Sequence, residues 1–272
     1  DILAKLDKLP ESSWIYRLAR RMTRRTFDRA DRIIVLGRDT KHYLLEHYNV
    51  RNEKLEIIPN WGADSPDHST CSNRTKESTP NEKPFRVVYS GNLGETAEFE
   101  TLLSAAEICI TKGKDLEFII LGNGKKQKWL KDQIEARHLT NLMLMEFLPE
   151  TQYREFLASA SAFFVSLGKD LKGISVPSKT YTYLAAGKPV LALVPEGSEI
   201  ALSIGEDGFG TVVPYDPSAL ADAILSLKNS AEVYEKQKNA AEKSGRKYSR
   251  SSVIPQYGKI IGTLISEWSD HS

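Results

Sequence analysis

Apolar residues fall along this chain in short continuous blocks, separated by stretches in which they return every three or four positions. From Phe85 onward, strand-like runs occupy 85–89, 116–121, 142–147, 162–167, 189–194 and 210–213. Helical patterns lie between and after them, at 99–112, 125–138, 151–160, 176–186, 198–204 and 217–228. Strands alternating with helices at this spacing predict an α/β fold with a doubly wound parallel sheet. Upstream, Arg32–Leu36 and Leu55–Ile58 read as two more short strands around a helix at 39–48, the second closed by Pro59-Asn60-Trp61-Gly62. From Gly62 to Pro84 only Ala63 and Cys71 are apolar, so this stretch reads as an exposed linker between domains. A last helix near 252–268 carries the stripe Val253-Ile254, Tyr257, Ile260-Ile261 and Leu264-Ile265.

The block Ala162–Leu167 leads into the most informative stretch, Gly173 to Val190. Here Ser175 is the expected N-cap, Pro177 the first helical residue and Gly187 the stop, with Pro189 beyond it. Lys179 then sits in the first turn, where the helix dipole disfavours a cation by about 0.3–1 kcal/mol unless an anion lies nearby. A phosphate would satisfy Lys179, the Ser178 hydroxyl and the free N–H groups together. The plainer reading is a solvated surface lysine, and these residues alone leave the two open.

Ligands of doubly wound sheets bind at the carboxyl ends of the strands. Three loops there draw notice: Ser90-Gly91-Asn92-Leu93-Gly94, Gly122-Asn123-Gly124-Lys125-Lys126, and Pro195-Glu196-Gly197-Ser198-Glu199. Glycines allow close backbone approach to a ligand, although glycine after a parallel strand is often only a turn. The first two loops match neither the Walker A pattern nor the dinucleotide Gly-x-Gly-x-x-Gly spacing.

Composition narrows the classes. The 272 residues are 40% hydrophobic and 27% charged with a net charge of +1, ordinary for a globular protein and contrary to bulk nucleic-acid binding. Cys71 and Cys109 show no disulfide or metal spacing, and the five histidines are scattered, so no metal site is expected. Asn73-Arg74-Thr75 matches a glycosylation acceptor by chance, and no run reaches the roughly 18 apolar residues of a membrane span. Opening on Asp1 without a methionine suggests a piece cut from something longer. The helix at 12–32 interleaves Trp14, Ile15, Leu18, Met22 and Phe27 with seven arginines from Arg17 to Arg32. It either lies on an anionic membrane surface or packs by its apolar residues, and the spread of arginines around the helix favours packing.

In order along the chain stand Pro59-Asn60-Trp61, Tyr89-Ser90-Gly91-Asn92-Leu93-Gly94, Leu121-Gly122-Asn123-Gly124, Val176-Pro177-Ser178-Lys179 and Ala185-Ala186-Gly187-Lys188-Pro189-Val190. Together they resemble the retaining group 1 (family 4-like) glycosyltransferases of the GT-B fold, especially bacterial enzymes of capsule, exopolysaccharide and O-antigen assembly. The resemblance covers nearly the whole chain. It implies two Rossmann-like domains: 1–61 as the tail of an N-terminal acceptor domain whose remainder is missing, 62–84 as linker, 85–247 as the nucleotide-sugar donor domain, and 248–272 as a helix returning to the first. It further implies transfer from a UDP- or GDP-sugar, as substrate and with no cofactor, to a glycan or lipid-linked acceptor in the cytoplasm, at the inner face of the membrane.

Position by position, the resemblance places Gly91, Asn92, Leu93, Gly94, Ser178 and Lys179 at the donor diphosphate. Gly122, Phe147, Leu148, Pro149 and Thr182 go to base and ribose, and Gly197, Ser198 and Glu199 to the donor sugar or phosphates; no catalytic side chain is assigned. The sequence departs from the family at its Glu-x7-Glu pair, where Ile174 and Thr182 stand, and after the first glycine loop, where Asn92 and Ala97 replace arginine and lysine. Thr182 offers one hydrogen bond but no charge. Two alternatives remain: a donor-binding module inactive without a separate acceptor domain, and a nucleotide-sugar epimerase, which would need an acid/base pair that is not evident. A nicotinamide oxidoreductase lacks its glycine fingerprint.

Overall fold

The structure is a computed structural model in which residues 1–64, 84–112 and 115–269 are described. Most of the expected linker, Cys71 and Asn73-Arg74-Thr75 lie outside those residues. The chain begins with α1 (Ile2–Lys5) and α2 (Trp14–Arg29), followed by β1 (Ile33–Val35), α3 (Arg38–Tyr48) and β2 (Leu55–Ile57). After the linker come β3 (Phe85–Ser90), α4 (Glu100–Lys112), β4 (Leu116–Leu121), α5 (Gln127–Ala136), β5 (Leu142–Met145), α6 (Glu150–Ala158) and β6 (Ala162–Ser166). Then follow α7 (Lys179–Ala185), β7 (Val190–Leu193), α8 (Glu199–Asp207), β8 (Gly210–Val212), α9 (Pro217–Asn229), α10 (Ala231–Lys247) and α11 (Arg250–Ser269).

β1 and β2 form a parallel pair, and the other six described strands form one parallel sheet in the order β5-β4-β3-β6-β7-β8. Successive side chains of a strand point to opposite faces. Val87, Phe118, Ile120, Phe164 and Leu191 accordingly pack with α4, α5 and α9, while Val88, Ile119, Phe163, Val190 and Ala192 pack with α6, α7, α8 and α10. Both faces are covered, which is why the strands read as unbroken apolar runs. Each fully buried leucine or phenylalanine contributes about 1.5–3 kcal/mol by leaving water. Cys109 belongs to this core, and burial pushes its thiol up to about 11, far from reactive.

Two local expectations need correction. The helix expected from 176 begins at Lys179, with Ser178 and not Ser175 in the cap position. Val176 precedes a proline, which disfavours helical backbone, and Ser175 closes a separate turn onto the Leu171 carbonyl. Pro177 instead opens a tight turn in which Thr180 N–H donates to its carbonyl at 3.1 Å. The second correction concerns α2. Tyr16 is buried and Phe27 packs on the small core around β1 and β2, but Trp14, Ile15, Leu18 and Met22 are exposed, Trp14 by 72% and Met22 by 60%. Packing therefore uses only one side of the helix.

One buried side chain ties the sheet to α7. Tyr183 stacks on Phe163 with ring centroids 4.2 Å apart. Its hydroxyl accepts from the Ser90 N–H at 2.8 Å and donates to the Ser90 carbonyl at 2.9 Å. Replacing it as Tyr183→Phe leaves the ring in place but strands a buried N–H and a buried carbonyl, each with a desolvation cost. We expect a loss of about 1–3 kcal/mol in urea unfolding; an unchanged midpoint would show that water or a neighbour takes over the bonds.

Candidate active site

β3 and β6 are adjacent in the sheet, yet the chain leaves β3 toward β4 on one side and β6 toward β7 on the other. This reversal is the switch point at which doubly wound sheets open a crevice. The loop after β3 forms one wall. Its Leu93 is fully buried, with its N–H donated to the Asn123 carbonyl and its own carbonyl taken by Lys126 N–H, so Leu93 has no backbone donor left for a ligand. Asn92 is exposed, and Gly91 and Gly94 border it.

The second glycine loop packs directly against the first. Gly122 (φ 153°) and Gly124 (φ 158°) face the carbonyls of Gly91 and Leu93 so closely that neither could carry a Cβ. Their missing side chains are thus accounted for by packing of one loop against the other, without a ligand. This contact positions the first loop.

The other wall follows β6 and leads to α7. Lys179 is the first helical residue, and among the described residues no carboxylate lies within ion-pair distance of it. Its ammonium sits over the ring of Tyr153, 5.4 Å from the centroid, an interaction of about 0.5–2 kcal/mol. The Tyr153 hydroxyl in turn accepts from Ser90 Oγ at 2.9 Å. Through Tyr153 and Tyr183 the lysine end of α7 and the end of β3 share one network. Ser178 is exposed and its side chain makes no capping bond.

The third expected group is only partly available. Gly197 (φ 70°) has the ammonium of Lys172 beside it, and Ser198 is buried with an unpartnered hydroxyl. The Glu199 carboxylate, however, is filled. Its Oε2 accepts from the Arg38 N–H at 2.6 Å and from Arg38 Nε at 3.0 Å, and Oε1 accepts from the guanidinium at 3.0 Å and from Ser203 Oγ at 3.2 Å. Arg38 also donates to Glu206 through its remaining guanidinium nitrogen, and hydrogen bonds to Glu199 first and then Glu206 hold the Arg38 pKa above its already high value.

Phe147 and Pro149 are exposed beyond β5, Leu148 is half-buried there, and Thr182 is half-buried on α7. Sequence reasoning overlooked Arg38, Lys172, Tyr153 and Tyr183. Gly37, the N-cap, and Arg38-Asp39, the first residues of α3, come shortly after the parallel strand β1, the same position after a strand that marked the other loops. The described residues contain no group of three or more His, Cys, Asp or Glu side chains able to hold a metal ion.

Comparison with known proteins gives this arrangement a context. The family described as Glycosyl transferases group 1 matches residues 72–244, and that described as Glycosyltransferase Family 4 matches residues 7–61. The chain is 32% identical over 227 residues to the probable glycosyltransferase WbjE of Pseudomonas aeruginosa, covering 79% of this chain and 54% of that protein. It is 22% identical over 251 residues to the putative colanic acid biosynthesis glycosyl transferase WcaI of Escherichia coli K12, covering 89% and 60%. The chain therefore spans little more than half the length of these relatives. Among solved structures, Anabaena HepE in complex with UDP superposes with a TM-score of 0.71 at 15% identity, over 94% of this chain and 70% of that one. A mutant of S. aureus TarM, in complex with fondaparinux, α-GlcNAc-glycerol and UDP, gives 0.68 at 18% identity, over 88% and 45%. These two likenesses are of fold, the GT-B type with parallel Rossmann-like sheets. With the family match extending over well more than half its length, this chain belongs to the group 1 glycosyltransferases.

Proposed function

We propose that the crevice between the loops after β3 and β6 binds the diphosphate of a nucleotide-sugar, and that the protein to which this chain belongs is a retaining transferase. It would move the sugar to a glycan or lipid-linked acceptor in cell-surface polysaccharide synthesis. The observation that carries the reading is Lys179: a cation at a helix start, without a carboxylate partner among the described residues, held over Tyr153, whose hydroxyl bonds Ser90 at the end of β3 just before the glycine loop. That combination suits an anion, and a diphosphate fits it. In the donor–acceptor division we infer, residues 1–61 end the acceptor domain, 85–247 form the donor domain, and α11 returns toward the first. Its Glu267 pairs with Arg32, and Tyr257 meets Trp61 edge-on.

The chemistry follows from charge. Cleaving a sugar–phosphate bond builds negative charge on the leaving diphosphate, and preorganised donors stabilise it without reorganisation. Lys179, the Ser178 hydroxyl and the backbone N–H groups of Asn92 and Gly94 would supply them, while the Gly91 N–H is given to the Leu121 carbonyl and its role is close approach. Glu199 is engaged with Arg38, so contact from the third loop passes to Gly197 and Ser198. Phe147, Leu148 and Pro149 would border the base, and Thr182 would give the ribose one hydrogen bond. UDP is favoured because HepE and TarM were solved with it.

We also infer that α2 meets an anionic membrane surface. No described helix is long and apolar enough to cross a membrane. The outward stripe of Trp14, Ile15, Leu18 and Met22 is bordered by the exposed Arg17, Arg21, Arg24, Arg25 and Arg29. Insertion of the stripe with arginines at the phosphates fits an interfacial helix.

Two expected outcomes test these readings. In calorimetric titration, Lys179→Ala should weaken UDP binding about tenfold or more, the loss of roughly 1.5–3 kcal/mol expected for a charged hydrogen bond. Unchanged affinity would remove the phosphate role. In co-sedimentation with phosphatidylglycerol vesicles, Trp14→Ser/Leu18→Glu should lower binding at least tenfold relative to the unsubstituted chain; equal sedimentation would overturn the membrane contact.

A further inference from the structure

Three consecutive residues at the start of α3 touch both loops that flank the crevice on the side of β6 and β7. Gly37 is buried against Glu199, and a Cβ there would lie 2.6 Å from the Glu199 Cβ. This approach allows the Arg38 N–H and guanidinium to reach the Glu199 carboxylate together, while another guanidinium nitrogen pairs with Glu206. One residue on, the buried Asp39 accepts the Gly173 N–H through Oδ2 at 3.2 Å, and its Oδ1 accepts the Thr40 N–H at 2.8 Å. Gly173 (φ 77°) also has no room for a side chain, with the Asp39 carbonyl and Tyr43 Cβ each 2.9 Å from where one would begin.

This clasp differs from an ordinary surface ion pair. Only 10% of the Glu199 side chain is exposed, and a buried carboxylate is tolerated only when its oxygens are matched by donors. Here both oxygens are matched, by one arginine and one serine. Both contact points adjoin the proposed donor site: Gly173, in the loop after β6, is six residues before Lys179, and Glu199, the first residue of α8, is two residues after Gly197.

We propose that Arg38 and Asp39 are positioning residues for sugar transfer, which hold the loops after β6 and β7 at the separation the reaction needs. The inference rests on the donor-site reading above. Neither residue touches the nucleotide in this account; they act through Glu199 and Gly173. Nucleotide affinity, supplied by Lys179 and the loop after β3, should then be nearly independent of the clasp. The rate should not be, because displacing reacting groups by about 1 Å can cost a hundredfold.

The test uses the full-length enzyme. Arg38→Gln/Glu199→Gln removes both charges and leaves no unpaired carboxylate in the interior, so the fold should persist. Asp39→Ala is the second variant, and thermal melting checks both. Turnover is measured with whichever of UDP-glucose, UDP-N-acetylglucosamine and GDP-mannose the unsubstituted enzyme uses fastest, affinity with UDP, and loop order by amide hydrogen exchange over residues 168–179. The expected result is a fall in kcat of tenfold or more, UDP affinity within threefold, and faster exchange at Gly173. Arg38→Lys should not restore turnover, since lysine lacks the fork that engages both oxygens. Unchanged exchange at Gly173, kcat within twofold of the unsubstituted enzyme, or a joint fall of kcat, UDP affinity and melting temperature would each overturn the proposal. Lys179→Ala alongside separates the two readings: if it leaves UDP affinity intact, the donor site is misplaced, whereas if it weakens UDP and the clasp variants keep their kcat, only the present inference fails.

Discussion

The site depends on a single phenol. Tyr183 is wholly buried, and its hydroxyl satisfies both the N–H and the carbonyl of Ser90, the last residue of β3. Burial pushes its pKa well above the ordinary value, so it stays neutral and can both donate and accept. Because Tyr183 belongs to α7, this pair fixes the helix that begins with Lys179 to the strand that ends in the glycine loop. The helix that begins with Lys179 and the loop after β3 are thereby joined through one buried phenol. The loop after β4 completes the arrangement from the other side, through glycines whose absent side chains let backbone meet backbone.

Two cations near the rim show how partners decide a role. The Arg38 guanidinium is shared between Glu199 and Glu206 and has little left to offer a ligand. Lys179 rests over an aromatic ring, which orients an ammonium without neutralising it. A cation already matched by carboxylates builds structure; one held by a ring remains available to an anion. In the proposal above, the same comparison gives Glu199 the role of anchoring the clasp, since both its oxygens are bonded to Arg38 or Ser203.

Much of this is legible in the sequence, and the failures have identifiable causes. The six apolar runs after Phe85 correspond to six strands because a sheet covered on both faces leaves an unbroken signal, and the glycine loops appear where strands end. The start of α7 lies three residues beyond the expected one, since Ser175 and Pro177 satisfy the rules of a cap while the chain uses them in turns. The exposure of α2 could not be read from its apolar residues, because periodicity says which side chains share a face and not what covers it. Arg38 and Glu199 are 161 residues apart, beyond the reach of any local pattern. Tyr183 reads as helix filler, with nothing nearby to announce a hydrogen bond to another strand.

The most direct test of the whole account is a crystal structure of this chain with UDP. We expect the diphosphate between the loop of Gly91 to Gly94 and the start of α7, with an oxygen within hydrogen-bonding distance of Lys179 Nζ and the base toward Phe147. UDP bound with its diphosphate away from Lys179, or phosphate oxygens held by Arg38 in place of Glu199, would contradict it.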